Sequence, residues 1–211
     1  MKPIFTYKEL GTNGRLGNQL FQVAATLATA NKFGGDVVFP EWEYAKYFRC
    51  DLVKQGHTGV ASHQLDEPHF HYGELSPENA YEVGPCELRK AINMHGYFQS
   101  EKYFQHCKEL IKNQFLFELT LQSKCASKIK EIKQTNQNRR LVSIHLRFGD
   151  YVNNAYYAQL TKSGYYERAT NHLWFSHDSN PLYVIFSDDK QLADEFAKTL
   201  KIVGHPIDYI I

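Results

Sequence analysis

The stretch Leu141-Val-Ser-Ile-His-Leu-Arg-Phe-Gly-Asp-Tyr151 changes from mainly apolar to mainly polar within a few residues. Its first part, Leu141 to Ile144, predicts a buried strand, because so short an apolar run is seldom a helix. The following residues are polar or small: His145, Arg147, Gly149 and Asp150. Ligands of α/β proteins bind at the carboxyl ends of strands, so this change predicts a binding site.

Within this stretch, Arg147 presents a planar fork of donors that suits phosphate or carboxylate oxygens. A structural ion pair between Arg147 and Asp150 would explain the same spacing. The stretch alone does not separate these two interpretations.

The composition is that of an ordinary soluble globular protein. The 211 residues are 43% hydrophobic and 22% charged, which allows one large or two small domains. The net charge of +1 requires no basic face, so we expect no nucleic-acid partner. An anionic small molecule could still bind in a local cationic pocket.

The cysteines and the hydropathy pattern favour a cytoplasmic protein. The four cysteines are scattered without a C-x-x-C pair: Cys50, Cys86, Cys107 and Cys125. This spacing argues against a zinc ribbon and is typical of free thiols in a reducing compartment. We find no secretion signal and no run of about 18 apolar residues, so we predict no membrane span.

A βαβ unit is predicted at the start of the chain. Ile4 to Tyr7 and Asp36 to Phe39 predict strands, and Gly34 should end the helix between them. The glycine-rich segment Gly11 to Gln19 opens that helix, where free N–H groups can cradle an anion. It lacks the Lys and hydroxyl of a P-loop, so a tight turn is the simpler interpretation of the segment by itself.

Residues 41–85 are rich in aromatics, histidine and proline and predict an irregular segment with short extended pieces and variable loops. A segment of this length is often substrate-facing. His69 and His71 could supply two metal ligands. The spaced Cys and His sets that mark zinc sites are missing, so we predict no metal site.

The middle of the chain predicts a strand, two helices and a linker. The strand covers Ala91 to Phe98, Ser100 should cap a helix running to Ile111, and Leu119 to Lys133 predicts a second helix. The polar segment Gln134 to Arg140 is the best linker candidate. We therefore predict two domains, residues 1–135 and 136–211.

The last part continues the α/β pattern, with a helix over Gly164 to Phe175, a strand over Leu182 to Phe186 and a final strand at Ile202 to Val203. The strand over Leu182 to Phe186 is followed by Ser187, Asp188 and Asp189. Either Ser187 or Asp188 is expected to cap the next helix, and capping alone could explain all three residues.

Four motifs together resemble those of the α-1,2-fucosyltransferases, in the right order and over nearly the whole chain. They are Gly14-Arg-Leu-Gly-Asn-Gln-Leu-Phe-Gln22, Gly96-Tyr-Phe-Gln-Ser100, His145-Leu-Arg-Phe-Gly-Asp-Tyr151 and Phe186-Ser-Asp-Asp189. The combination of H-x-R-x-G-D-Y with G-x-L-G-N-Q is the specific part.

The resemblance implies an inverting transferase that uses GDP-β-L-fucose. It implies a GT-B-like α/β fold with two Rossmann-like lobes, and no metal or other cofactor. Arg147 matches the family's arginine that offsets the diphosphate charge, and Asn18 matches an asparagine that faces the fucose and the diphosphate; both are predicted as catalytic.

The predicted substrate-binding residues surround these two. Gly17 and Gln19 flank Asn18 in the first motif, and His145 would flank the phosphate site, with a structural role equally open to it. Gly149 and Asp150 are expected to shape the loop, with Asp150 holding it or Arg147 in place. The residues expected near the nucleoside are Ser187, Asp188 and Asp189.

The chain departs from the family pattern in two places. Many members have a second arginine where this chain has Phe148. The family also continues with a Ser-, Phe- and Trp-rich element that does not appear before Ile211. A second lobe starting near residue 136 is therefore expected to be incomplete, either because the protein is naturally short or because the sequence is a fragment.

The predicted partners are GDP-fucose and a galactose-terminated glycan acceptor. A homo-oligomer would bury the apolar tail Tyr209-Ile-Ile211. A non-catalytic binder of nucleotide sugar or glycan is the alternative function, and the missing P-loop lysine disfavours a P-loop transferase.

Overall fold

The computed structural model describes residues 2–49, 61–69, 71–84, 91–151, 160–177 and 181–211. The chain divides into two compact units, Met1–Ser123 (unit 1) and Lys124–Ile211 (unit 2). The division falls within one helix, Leu119–Thr135, whereas the sequence placed a domain boundary after that helix.

Unit 1 is built on a sheet with helices in its connections. Its described strands are β1 (Ile4–Thr6), β2 (Asp36–Val37), β3 (His63–Asp66), β4 (Tyr81–Glu82) and β5 (Ala91–His95). Its described α-helices are α1 (Leu16–Phe33), α2 (Lys108–Gln114) and the start of α3 (Leu119–Thr135). The strand order is β2-β1-β5-β3-β4, parallel except for the antiparallel pairing of β4 with β3.

The predicted βαβ unit at the start of the chain is confirmed. Helix α1 ends as expected, because Gly34 adopts the left-handed conformation (φ 68°) and its N–H donates to the carbonyl of Ala30. The core between α1 and the sheet includes fully buried side chains from β1, β5 and α1: Phe5, Val23, Ala25, Ile92 and Met94. Burying a large apolar side chain contributes on the order of 2 kcal/mol, so this core fixes the sheet that carries the glycine-rich segment.

The segment predicted to be irregular, residues 41–85, contains two strands where it is described. Strand β3 pairs in parallel with β5, and β4 forms the edge. Its aromatic residues also build core: the rings of Trp42 and Phe48 stack with centroids 5.8 Å apart.

The helix predicted from Ser100 to Ile111 is broken into shorter pieces. Ser100 does cap, accepting a bond from the N–H of Lys102, but the helix it opens is a short 3-10 helix. The α-helix begins only at Lys108. The described 3-10 helices of the chain are Ala45–Tyr47, Pro77–Asn79, Glu101–Tyr103, Gln105–Cys107, Gly149–Tyr151 and Leu160–Lys162.

Unit 2 contains a parallel sheet of order β10-β7-β6 and a small antiparallel pair. Its described strands are β6 (Leu141–Leu146), β7 (Leu182–Ser187), β8 (Lys201–Ile202), β9 (His205–Pro206) and β10 (Tyr209–Ile210). Its helices are α4 (Tyr165–His177) and α5 (Lys190–Ala197). The core includes Ile144, Leu146, Tyr183, Ile185, Ala193 and Leu200.

The tail of the chain lies in this sheet. Strand β10 pairs in parallel with β7, and the hydroxyl of Tyr209 donates to Asp194 at 2.8 Å. Tyr209 and Ile210 are consequently half-buried within the unit. Ile211 is 38% exposed, and the homo-oligomer stays a prediction.

Among the described helices, none combines the length and apolar character needed to cross a lipid bilayer.

Candidate functional site

The glycine-rich segment joins β1 to α1 in a conformation that requires glycine. Gly11 and Gly14 have φ angles of 94° and 79°, a region that costs other residues about 1–2 kcal/mol. A Cβ on Gly14 would lie 2.4 Å from Nδ2 of Asn18. The segment therefore holds its backbone against the Asn18 side chain.

Gly17 differs from Gly14, because a Cβ placed on it would meet nothing within 4 Å. It lies exposed in the first turn of α1. Packing against the described residues therefore does not explain a glycine at this position.

Gln19 supports the segment from inside. It is 2% exposed; its Nε2 donates to the carbonyl of Gly14 at 2.9 Å, and its Oε1 accepts from the indole N–H of Trp42 at 2.8 Å. The structure thus gives Gln19 a positioning role, and its contact with a substrate stays a prediction.

Asn18 is linked to the second motif. Its Oδ1 accepts a hydrogen bond of 2.6 Å from Nε2 of Gln99, in the segment that follows β5. That segment is shaped by Glu67, whose Oε2 accepts from the backbone N–H groups of Tyr97 and Phe98 at 2.9 and 2.8 Å. The role of Glu67 could not be predicted from the sequence, since its hydrogen-bond partners lie about thirty residues away along the chain.

Tyr7 and Asn13 connect the two segments further. The Tyr7 hydroxyl donates to the carbonyl of Gly96 at 2.8 Å and accepts from Nδ2 of Asn13 at 2.7 Å. Burial is the main cause that raises the pKa of Tyr7 to about 12. The hydroxyl therefore stays protonated and serves as a structural link.

In unit 2, the strand β6 runs two residues further than predicted, to Leu146. Side chains of a strand alternate between its faces, so Ile144 and Leu146 are buried while His145 is exposed. His145 lines a cavity of about 340 Å³ beside Tyr166, whose hydroxyl donates to the His145 carbonyl.

Arg147 and Asp150 form the ion pair that was one of the two interpretations of this stretch. Nε and Nη2 of Arg147 donate to the two carboxylate oxygens of Asp150 at 3.0 and 2.7 Å. The guanidinium also lies 4.1 Å from the centroid of the Tyr151 ring. Hydrogen bonding to Asp150 raises the pKa of Arg147 further above its ordinary range.

This ion pair occupies one edge of the guanidinium. It uses the Nε–Nη2 edge of the guanidinium and leaves Nη1 outside the pair. The Arg147 side chain keeps 28% of its surface exposed. Gly149 begins the short 3-10 helix that contains Asp150. The arrangement is a fixed cation at the carboxyl end of a parallel strand.

The end of β7 contributes to the same loop. Oδ1 of Asp188 accepts from the backbone N–H of Phe148 at 2.9 Å, which ties the Arg147 loop to the neighbouring strand. The predicted helix cap is wrong: Asp189 caps α5 by accepting from the N–H of Leu192, and Ser187 accepts from the N–H of Asp189. The cap lies further along the chain than predicted because Ser187 is the last residue of β7.

The predicted residues thus form two groups. Gly17, Asn18 and Gln19 lie at one helix start in unit 1. The others lie after or within neighbouring strands of unit 2: His145, Arg147, Gly149, Asp150, Ser187, Asp188 and Asp189. In the described parts of the chain, no group of three or more His, Cys, Asp or Glu side chains could hold a metal ion.

The sequence matches the model of Glycosyl transferase family 11 over residues 4–199. It is 28% identical over 216 residues to the galactoside 2-alpha-L-fucosyltransferase of Caenorhabditis elegans, covering 93% of this chain and 58% of that protein. It is 26% identical over 189 residues to galactoside 2-alpha-L-fucosyltransferase SEC1 of Bos taurus, covering 85% and 49%. The chain therefore spans about half the length of the curated relatives it matches.

The fold is similar to that in the crystal structure of the Se-Met fucosyltransferase NodZ from Bradyrhizobium. The TM-score is 0.51 at 10% sequence identity, with 100% of this chain and 78% of that chain covered. This likeness and the parallel sheets confirm the predicted α/β, GT-B-like class. Because the family model matches nearly the whole chain, the protein belongs to glycosyl transferase family 11.

Proposed function

We propose that the protein is an inverting fucosyltransferase. It transfers L-fucose from GDP-β-L-fucose to O2 of a terminal galactose in a glycan acceptor. The observation that carries this proposal is the fixed guanidinium of Arg147 at the carboxyl end of β6, in a chain that belongs to this family. The names of the two relatives support the sugar and the linkage.

Arg147 is the residue to which we assign the main catalytic contribution. When the bond between fucose C1 and the phosphate oxygen breaks, negative charge builds up on the β-phosphate of GDP. A cation that is already fixed stabilises this charge more in the transition state than in the ground state. Asp150 and the Tyr151 ring supply the fixing.

The start of α1 supplies the second contribution. Its N–H groups and its dipole favour a bound anion, and no side chain caps this helix end. Asn18, oriented by Gln99, would hydrogen-bond the fucose and the diphosphate, while Gly17 lets the donor approach the backbone. Gln19 keeps the segment in this conformation.

The nucleoside half is assigned to the residues after β7. A carboxylate oxygen has two lone pairs, so Asp188 and Asp189 can accept a hydrogen bond from guanine or ribose in addition to their backbone bonds. Ser187 and His145 complete this region. With Arg147 balancing the diphosphate, we propose that transfer needs no divalent metal, and EDTA should leave the rate unchanged.

The test is a transfer assay with GDP-fucose and a β-galactoside such as lactose, with the product linkage determined by NMR. We expect an α-1,2-fucosylated product, and Arg147→Ala should lower kcat by about 100-fold or more, the scale for losing a preorganised charge contact. Arg168→Ala is the matched control, because the exposed Arg168 side chain donates to a backbone carbonyl, that of Ser163. GDP binding by the wild type without transfer would overturn the proposal in favour of a non-catalytic nucleotide-sugar binder.

A further inference from the structure

A cavity of about 1080 Å³ lies in unit 1, and its lining residues are ones to which the proposed function has assigned no role. Its walls come from the ends of β3 and β5, from the segments after them and from Asn13 of the glycine-rich segment. Carboxyl ends of parallel strands are where open α/β sheets bind ligands. This cavity has the position and the volume of a ligand site.

Asp66 and His95 form a hydrogen-bonded pair in this cavity. They are register partners at the ends of β3 and β5, and Nδ1 of His95 lies 3.0 Å from Oδ1 of Asp66. Gln64 donates to Oδ1 and the Tyr81 hydroxyl to Oδ2 of the same carboxylate, at 2.8 and 3.0 Å. One carboxylate is therefore surrounded by three donors.

These contacts determine where the protons lie. Partial burial disfavours the charged carboxylate, but the bonds from Gln64, Tyr81 and His95 outweigh it and lower the pKa of Asp66. An ionised carboxylate only accepts, so Nδ1 of His95 carries the proton. In the neutral ring, Nε2 is then a proton acceptor.

Other described titratable groups also line the cavity. They are Glu67, His69, His71, Tyr81 and Tyr97. Glu67 is engaged by two backbone N–H groups and by the Tyr103 hydroxyl. The Tyr81 hydroxyl donates to Asp66, and this hydrogen bond raises the pKa of Tyr81. The exposed rings of Tyr81 and Tyr97 provide apolar faces against which the C–H face of a sugar can pack.

We propose that this cavity binds the acceptor sugar, with His95 as the general base and Asp66 as its positioning residue. The proposal rests on the proposed function. Nε2 of His95 takes the proton of the acceptor hydroxyl, and the oxygen forms the new bond to fucose C1. The bond from C1 to the phosphate breaks, and its electron pair leaves with GDP.

The test measures fucose transfer as a function of pH, from about pH 5 to pH 8, where imidazoles titrate. For the wild type we expect the rate to fall in acid, as the imidazole becomes protonated. His95→Gln should lower kcat by about 100-fold to 10,000-fold, the range for general-base catalysis, and remove the acid limb. GDP affinity measured by calorimetry should change by less than about twofold, since His95 does not contact the donor.

Two further variants separate catalysis from structure. Asp66→Asn should lower kcat and displace the acid limb without removing it, because the base remains but loses its orientation. Added imidazole should restore part of the activity of His95→Gly. His172→Gln, a substitution of an exposed histidine in α4, is the control and should keep the wild-type rate and profile.

The outcomes distinguish the two proposals. Transfer by His95→Gln at the wild-type rate and with the wild-type pH profile would overturn the role of His95 and leave the transferase function standing. Loss of activity together with lost GDP binding, and no rescue by imidazole, would assign His95 a structural role and also overturn it. A wild type that binds GDP-fucose but makes no product would overturn both.

Discussion

Two glycines three positions apart in the chain have different physical reasons to be glycine. Gly14 has a positive φ and no room for a Cβ beside Asn18. Gly17 has open space where its Cβ would be. Substitution by alanine should therefore separate a structural requirement from a requirement of the ligand.

We predict that Gly17→Ala raises the free energy of unfolding by up to about 1 kcal/mol, because alanine is the better helix former. The same substitution should weaken GDP-fucose binding, because the methyl group occupies the space of the donor. Gly14→Ala should instead lower the free energy of unfolding by about 1–2 kcal/mol or more. Thermal unfolding and calorimetric titration measure the two effects. Unchanged donor affinity in Gly17→Ala would show that the donor does not approach this residue.

The buried amide of Gln19 carries a second prediction at this scale. Gln19→Leu keeps the volume but leaves the indole N–H of Trp42 buried without its partner, which costs about 1–3 kcal/mol. Urea unfolding measures the loss. Gln191→Leu is the control, because Gln191 is exposed and its described hydrogen bond is to Glu195, another exposed residue. Equal stability of the two variants would contradict the supporting role of Gln19.

The sequence predicted which side chains could bind a ligand better than it predicted the residues that those side chains contact. The side chain of Arg147 and its place after a strand follow from the local pattern. The hydrogen bond from the Phe148 N–H to Asp188 does not, because it joins two segments forty residues apart in the chain. The same holds for Asp66 and His95, which only the β3–β5 register brings together.

At the scale of elements, helix α3 depends on the residue that precedes it. Both carboxylate oxygens of Glu118 accept backbone N–H groups, those of Thr120 and Leu121, at 2.8 and 3.1 Å. The bond from Thr120 is the largest cause that lowers the pKa of Glu118 below its ordinary value of 4.5.

This cap makes the stability of α3 dependent on pH in acid. A lowered pKa means that the stabilisation is present above the unfolded-state pKa and is lost as pH falls through the folded-state pKa. We predict that Glu118→Gln is less stable than the wild type near neutral pH and that the difference closes below pH 4.5. Denaturant unfolding against pH measures this. Glu131→Gln, which removes an exposed ion pair with Lys128, should be nearly neutral; a constant difference for Glu118→Gln at all pH values would contradict the cap.

Elements with strong local signals were predicted with small errors in their ends. Helix α1 is marked by its glycines and its apolar faces, and β6 and β7 by their apolar runs. Strands β3 and β4 gave no such signal, since His63-Gln-Leu-Asp66 and Tyr81-Glu82 are largely polar. Strand β3 forms by pairing with β5, whose first four residues are buried, and β4 forms by pairing with β3. Both strands therefore depend on tertiary context.

At the scale of the whole molecule, each unit contains residues to which the proposed function assigns a role. Unit 1 holds the glycine-rich segment and the cavity with Asp66 and His95, and unit 2 holds Arg147 and the residues after β7. The motifs could identify the family because each is a local pattern. The cavity that contains Asp66 and His95 could not be predicted, since its walls come from residues scattered between Asn13 and Tyr97.

The measurement that tests the role of Arg147 in donor binding most directly is calorimetric titration with GDP and GDP-fucose. The wild type is compared with Arg147→Ala and with the control Arg168→Ala. We predict a Kd of about 1–100 μM for the wild type and for Arg168→Ala, and at least about tenfold weaker binding for Arg147→Ala, equivalent to about 1.4 kcal/mol or more. Equal GDP affinity in the wild type and Arg147→Ala would contradict the assignment of Arg147 to the diphosphate.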